Sequence, residues 1–256
     1  MTKFARYEAH GEIAYGVVEG DVVKQLTTSP LEDYEVTDHT HALSEVRLLA
    51  PVVPNKIVAI GLNYKSHLGD RTPPKVPEPF LKSTSSLAGP GQDIVIPREA
   101  LEENVTIQEE GELSLVIGKR CRRVSREDAM SVVLGLTCGN DVSARQWQRG
   151  DLQWWRAKSS DTFSPIGPFI VTDLDPGNLD LIARVNGKVE QESNTSDLLY
   201  DVPTIIEFVT RVMTLGPGDV IMTGTPGQPG DLHPGDTVEI EIEGIGVLSN
   251  PVVAES

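Results

Sequence analysis

The chain is poor in cysteine, in aromatic side chains and in positive charge, and each shortage excludes something. Its two cysteines, Cys121 and Cys138, in 256 residues support neither a disulfide scaffold nor a thiolate metal centre, since they lack the paired spacing such centres use. Both read as buried packing residues. Basic residues number 22 against 38 acidic ones, a formal charge of −16, and such a surface repels phosphate backbones and anionic lipid headgroups. Nucleic acid and membranes are therefore not expected partners, and a small anionic substrate would need a local positive trap. There is no apolar run of the roughly 20 residues a membrane helix requires, and the opening MTKFARYEAHGEIAYGVV reaches polar turns before it forms the apolar region of a signal peptide. A cytoplasmic location is expected.

What is present is short strands and turns. KFARYEA, EIAYGVVEG and DVVKQL, broken at His10-Gly11 and Gly20-Asp21, predict a small β-rich unit over residues 1–50, with a soft boundary near Pro51 and a main body over residues 51–256. In the main body KIVAIGL, PFLK, DIVIP, ELSLVIGKRCRRV, IGPFIVT and LDLIARV read as strands. Ser125 and Asp128 resemble a cap opening a helix over REDAMSVV. Asn186-Gly187 signals a hairpin. Asp201 and Pro203 open an amphipathic helix over TIIEFVTRVMTL, ending at Gly216. Few helices among many strands argue against a doubly wound sheet and for a mainly β protein, a β-sandwich or β-roll with peripheral helices.

Three carboxylates stand out. Glu110 and Glu112 in EEGELSLVIG are two apart and share a face of a strand, although such a pair alone equally fits a solvated strand start. Asp141 ends the apolar strand LGLTCGND, a position for a functional group or for the N-cap of ARQWQ. Brought together they form an all-oxygen site that selects Mg²⁺, Mn²⁺ or Ca²⁺ over Zn²⁺. Lys158 either snorkels to solvent or, beside these carboxylates, stays protonated to hold an oxyanion. His67 and Asp70 in NYKSHLGD are three apart, so one helical turn makes them an acid–base pair, while a proline-rich loop also suits a surface histidine. Gly224-Thr225-Pro226-Gly227 offers N–H groups and a hydroxyl to an anion, or is simply a turn. Trp147, Trp154 and Trp155 suit core packing, a pocket wall or a dimer seam.

Taken together, GLNYKSH, PFLKSTSSL, EEGELSLVIGK, NDVSARQWQ, RAKSSDTFSPIGP and GDVIMTGTP resemble, in order, the motifs of the fumarylacetoacetate hydrolase family from about Pro51 onward. The N-terminal strands look like the leader unit of many prokaryotic members. The resemblance implies a mixed β-sandwich roll, a homodimer, and Mg²⁺ or Mn²⁺ on Glu110, Glu112 and Asp141 with Lys158 beside the metal. It further implies Arg145, Gln148 and Thr225 as substrate-binding residues and His67 as a lid base, with Asp70 standing where family members often carry glutamate. The implied activity is metal-dependent C–C hydrolysis of a 2,4-dioxo acid such as fumarylpyruvate, through an enolate. Isomerisation of a hydroxyheptadienedioate, or oxaloacetate decarboxylation, would use the same constellation. A non-enzymatic Ca²⁺-binding or interaction protein is the reading from a different class, and it leaves Lys158 and His67 unexplained.

Overall fold

Hairpin chemistry organises the first fifth of the chain. In the computed structural model, which describes residues 1–256, β1 (Lys3–Ala9), β2 (Glu12–Glu19) and β3 (Val22–Leu26) form an antiparallel meander. Its turns place His10, Gly11 and Gly20 at positive φ, as tight connections require. β4 (Val36–Ala42) adds a strand inside a stretch whose polarity hides it from sequence reading. It is the edge strand of its sheet, so most of VTDHTHA faces water and no apolar period is needed. β5 (Arg47–Leu49) returns to pair with β1.

Next come β6 (Ile57–Gly61), β7 (Glu78–Lys82), β8 (Leu87–Ala88), β9 (Ile94–Ile96), α1 (Arg98–Glu102) and β10 (Ile107–Gln108). The hairpin of β11 (Gly111–Ile117) and β12 (Val133–Asn140) is buried almost throughout. β13 (Ser143–Ala144), α2 (Arg145–Gly150) and α3 (Trp155–Ser159) lead into β14 (Ser164–Val171). β15 (Asp180–Val185) and β16 (Lys188–Asn194) turn at Asn186-Gly187, both at positive φ. α4 (Val202–Thr210), β17 (Val220–Met222), β18 (Thr237–Ile242) and β19 (Gly246–Ala254) complete the chain.

Twelve strands form one sheet in the order β4-β3-β2-β1-β14-β12-β11-β17-β6-β7, with β5 on β1 and β8 on β14. Hydrogen bonding therefore runs from the N-terminal meander into the main body through β1 and β14. A five-stranded sheet, β16-β15-β18-β19-β9, packs against β11, β12 and β14. Leu113, Leu115 and Leu136 of the large sheet meet Leu181, Ile240 and Ile242 of the small one in the main core. Phe4, Ile57, Ile166, Ile170 and Met222 form a second cluster. Strand accounts for 42% of the chain and helix for 16%, so the mainly β sandwich-roll expectation holds. Both cysteines are free and buried, and burial pushes the Cys138 thiol up to about 12, consistent with packing residues. No helix is long and apolar enough to cross a membrane.

Two helices differ from their sequence patterns. The Asp201 carboxylate caps α4 by accepting from the Thr204 N–H at 3.0 Å, but the helix stops at Thr210 rather than Gly216. Backbone pairing between Cys121 and Leu215 at 2.9 and 3.0 Å pulls the chain away and leaves Val212 79% exposed. Ser125 and Asp128 form their reciprocal cap, yet only a 3₁₀ turn over Ala129–Val132 follows, because β12 claims the chain at Val133.

The parallel pair β6 and β17 delivers two loops to the site, and buried polar groups set its ends. Asp219 is fully buried; it accepts from the Lys56 N–H at 3.0 Å and the Gly216 N–H at 2.7 Å, and pairs with the Lys56 ammonium at 2.7 Å. At the other end Asn63 donates to the Thr223 and Tyr200 carbonyls at 2.7 and 3.0 Å and accepts from the Tyr200 N–H at 2.8 Å. Replacing Asp219 with Ala orphans two half-buried backbone donors and the Lys56 ammonium, each donor worth about 1–3 kcal/mol. The expected outcome is a loss of about 2–4 kcal/mol of stability, read as a lower midpoint in urea unfolding with an unchanged slope.

Candidate active site and metal centre

The site starts from the register of the buried hairpin. Gly111 lies opposite Asn140 and Glu112 opposite Gly139. The Glu110 N–H donates to Asn140 Oδ1 at 3.0 Å, and the Asp141 N–H donates to the Glu110 carbonyl at 2.9 Å. Residues remote in sequence are thereby locked side by side at the hairpin mouth. Carboxylate oxygens of Glu110, Glu112 and Asp141 all lie within 4.8 Å of one another, and all three residues are buried.

Cations are arranged around this cluster. The buried Lys158 ammonium donates to Glu110 Oε2 at 2.5 Å and Asp141 Oδ2 at 2.6 Å. Lys82, fully buried at the end of β7, binds the other Asp141 oxygen and the Phe163 carbonyl. The Arg145 guanidinium stands 2.6 Å from Glu110 Oε1 and donates to Gln148 Oε1 at 2.9 Å. Burial opposes the charge on Lys158, but Asp141 and Glu110 outweigh it and raise its pKa, so it is an ammonium. Burial likewise opposes ionisation of Glu110, yet Lys158 and Arg145 hold it below the usual carboxylate range. Glu112 fares differently. Burial, then Asp141 and Glu110, push it well above that range, and its Oε2 accepts only the Gly224 N–H, at 2.6 Å.

A divalent cation suits this arrangement. Three convergent buried carboxylates, of which burial and its two neighbours hold Glu112 back from ionising, are what a hard ion draws into the charged form, and the donor set contains no imidazole or thiolate that would favour Zn²⁺. Glycine is required at Gly224: its φ is +105°, and a Cβ there would stand 2.7 Å from the Asn63 Cβ. The GTPG turn, read from sequence as an anion cradle, thus spends one N–H on holding Glu112. Thr225 is buried beside it, its hydroxyl accepting from Gln191 Nε2 at 2.7 Å.

The carboxylates open into a cavity of about 520 Å³. His67, Gln148, Thr225 and Lys158 line it, as do three arginines, Arg71, Arg145 and Arg149. They supply the local positive trap that an acidic chain needs for an anion. Trp154 also faces the cavity, edge-on to Phe80 with centroids 5.1 Å apart. Trp147 is instead buried under Arg156, whose guanidinium lies 4.5 Å from its ring, and Trp155 is 70% exposed. His67 sits in a single 3₁₀ turn over Lys65–His67. Its Nδ1 is 2.8 Å from the Gly227 carbonyl and its Nε2 is 3.8 Å from Glu110 Oε1. Asp70 is not brought to it: that side chain is exposed, outside the cavity lining, and follows Gly69, whose φ is +57°. The left-handed glycine ends the turn, so the three-apart spacing does not stack the two side chains.

Sequence reasoning did not single out Lys82, Glu109 or Gln191. A lysine at the end of the strand EPFLK was a visible signal for the first. Glu109 is wholly buried, accepts the Gly230 N–H at 2.7 Å, and is pushed up to about 8 by burial. It is the neutral acid at pH 7. Gln191 comes from β16 and bridges Thr225 to Gly111, whose N–H it accepts at 2.9 Å. Nothing local to QES announces that role.

Comparison with known proteins bears on this geometry. Residues 56–253 match the family described as fumarylacetoacetate (FAA) hydrolase C-terminal, and residues 2–51 match one described as Rv2993c-like, N-terminal. Protein Rv2993c of Mycobacterium tuberculosis is 41% identical, with 98% of each chain covered. The mitochondrial oxaloacetate tautomerase FAHD2A of Bos taurus is 40% identical over 95% of this chain and 77% of its own. Among solved structures, 2-hydroxyhepta-2,4-diene-1,7-dioate isomerase from Mycobacterium marinum superposes with TM-score 0.92 at 41% identity, covering 100% of both chains. Maleylpyruvate hydrolase from Sphingobium sp. SYK-6, in complex with manganese(II) and pyruvate, gives 0.83 at 32% identity, again over 100% of both.

A cation held by these carboxylates stabilises the folded state by mass action. Saturating Mg²⁺ or Mn²⁺, at a hundredfold excess over Kd, is expected to raise Tm by roughly 5–10 °C. Asp141→Asn, which removes one ligand charge, should abolish the rise in a thermal-shift measurement.

Proposed function

The chain belongs to the fumarylacetoacetate hydrolase family, and from that membership we propose that it moves a proton on a small anionic 2-oxo acid through its enolate, as a Mg²⁺- or Mn²⁺-dependent tautomerase or isomerase. One observation carries the choice of reaction. The Gly227 carbonyl can only accept, so the proton of a neutral His67 lies on Nδ1 and the Nε2 lone pair faces the cavity. Burial lowers the pKa of His67, more than Glu110 raises it, so the imidazole is neutral and basic at physiological pH. Water activation for C–C hydrolysis gains from a carboxylate behind the imidazole, and here a backbone carbonyl takes that place. A lone neutral base suffices for proton transfer.

The residues divide the work as follows. Arg145, with Gln148 on one of its nitrogens, binds the substrate carboxylate, and Thr225 adds a hydroxyl. When bound at Glu110, Glu112 and Asp141, the cation supplies Lewis acidity that favours the enolate form of a chelating 2-oxo acid. Lys158, held as an ammonium, donates to the enolate oxygen. His67 Nε2 takes the proton from the carbon next to the carbonyl and passes it to the enolate oxygen, which completes tautomerisation, or to the vinylogous carbon, which completes isomerisation. Arg71 donates to the His67 and Leu68 carbonyls, both at 3.0 Å, and so stiffens the turn that aims the imidazole.

Hydrolysis of an acylpyruvate is the second reading. It is favoured by a cavity roomy enough for substrate and water, and by likeness to a protein described as a maleylpyruvate hydrolase. A panel of enol-oxaloacetate, hydroxydienedioates and acylpyruvates, followed by ultraviolet absorbance and product analysis with Mg²⁺ and with Mn²⁺, separates the two. Faster C–C cleavage than proton transfer would sink the tautomerase reading.

Two outcomes follow from the His67 geometry. His67→Ala should lower kcat by about 10²–10⁴-fold, whereas Asp70→Asn should leave it essentially unchanged; a large loss in the Asp70 variant restores the dyad. Because the His67 pKa is lowered, the active neutral form persists to more acidic pH. The acid limb of the kcat profile should therefore fall below the ordinary histidine value of 6.5 and be absent in the residual activity of His67→Ala.

A further inference from the structure

Three histidines that the catalytic cavity does not use gather in the N-terminal meander. Of the five in the chain, His10, His39 and His41 line one surface cleft of about 330 Å³, with Glu12, Gln25 and Tyr7 among its other walls. His10 reaches it from the β1–β2 turn, and His41 from the edge strand β4. His39 lies in a bulge, where β4 runs from Val36 to Thr40 against only Leu26 to Lys24 of β3. Bulges re-aim side chains out of the regular alternation.

The His10 and His41 rings have centroids 5.8 Å apart. Two imidazoles on one tetrahedral ion, with metal–nitrogen bonds of about 2.0–2.1 Å, put their centroids roughly 5 Å apart. The pair is thus a small movement from bidentate geometry, and the exposed His10 and His39 are free to make it. The carboxylates of the catalytic site are already converged within 4.8 Å; the three imidazoles are not, and an ion would have to draw them together.

The floor of the cleft points to a ligand independently. Tyr7 is fully buried, lies edge-on to His41 with centroids 5.7 Å apart, and its hydroxyl has no hydrogen-bond partner. A Cβ on Gly16 would stand 3.1 Å from Tyr7 Cε1 and 2.4 Å from Val23 Cγ2, so this glycine lets the phenol lie across β2. A buried hydroxyl left unpaired is destabilising, and water carried by a bound ion would satisfy it.

We propose that this cleft binds one borderline divalent transition-metal ion, Zn²⁺, Ni²⁺ or Cu²⁺, through His10, His39 and His41. Imidazole donors select such ions, whereas the all-carboxylate centre selects hard ones, so the chain holds two sites of different chemical preference. The bound ion clips the edge strand β4 to the β1–β2 turn, and binding to the folded form alone adds stability.

Calorimetric titration of the full-length protein with Zn²⁺, in excess Mg²⁺ to fill the carboxylate centre, tests this. The arms are the natural sequence, Glu112→Gln, and the double variant His10→Asn/His39→Ala. Both replaced histidines are exposed, and asparagine tolerates the φ of +53° at position 10; circular dichroism checks the fold. One Zn²⁺ per chain is expected in the first two proteins and none in the third, with a Zn²⁺-induced rise in Tm lost in parallel. No binding over Mg²⁺, or binding that persists in the double variant, overturns the proposal.

Discussion

Three carboxylates at the mouth of one buried hairpin repel one another, and much of the surrounding structure answers that repulsion. In water the energy at stake between two such charges is about 1 kcal/mol, and in a buried site several times that. Lys158 and Lys82 are therefore buried as well, one on each oxygen of Asp141, and Arg145 closes on Glu110. Buried charges persist only when paired and hydrogen-bonded. Glu112 remains the unbalanced member, with a single backbone donor. Its crowded carboxyl, which a cation would help to ionise, distinguishes a cation site from a self-contained ion-pair network.

Each element near the site can be understood by what it delivers there. β11 and β12 bring the carboxylates, β7 brings Lys82, and the α2–α3 segment brings Arg145, Gln148 and Lys158. The parallel pair β6–β17 is fixed at one end by Asp219 and at the other by Asn63. It hands over the loop that carries His67 and the turn that carries Thr225. Rigidity at the carboxylates contrasts with the single 3₁₀ turn around His67, which is held by the Gly227 carbonyl and by Arg71. The carboxylates are thus held by the core, and the imidazole by its own short turn.

Much of this was legible beforehand. Strands with period-two patterning, the Asn186-Gly187 turn and the Asp201 cap depend on neighbours a few residues away, so local chemistry suffices to read them. β4 was not legible, because an edge strand need not alternate. The helix predicted to run to Gly216 stopped at Thr210 because pairing of Cys121 with Leu215, nearly a hundred residues apart, outcompetes one more helical turn. His67 and Asp70 illustrate the same limit. Their spacing is right for a dyad, but Gly69 in the left-handed region turns Asp70 to solvent.

The sequence by itself determined which chemical groups were available: three carboxylates, a lysine and a histidine in ordered motifs, on strands whose pattern specified a mainly β protein. Only the tertiary structure decided how they act on one another. Whether Glu112 is crowded, whether Lys158 stays charged and what stands behind His67 all depend on distances and burial set by segments far apart in the chain. Electrostatic energy varies with separation and dielectric, and neither is a property of a residue's position in sequence.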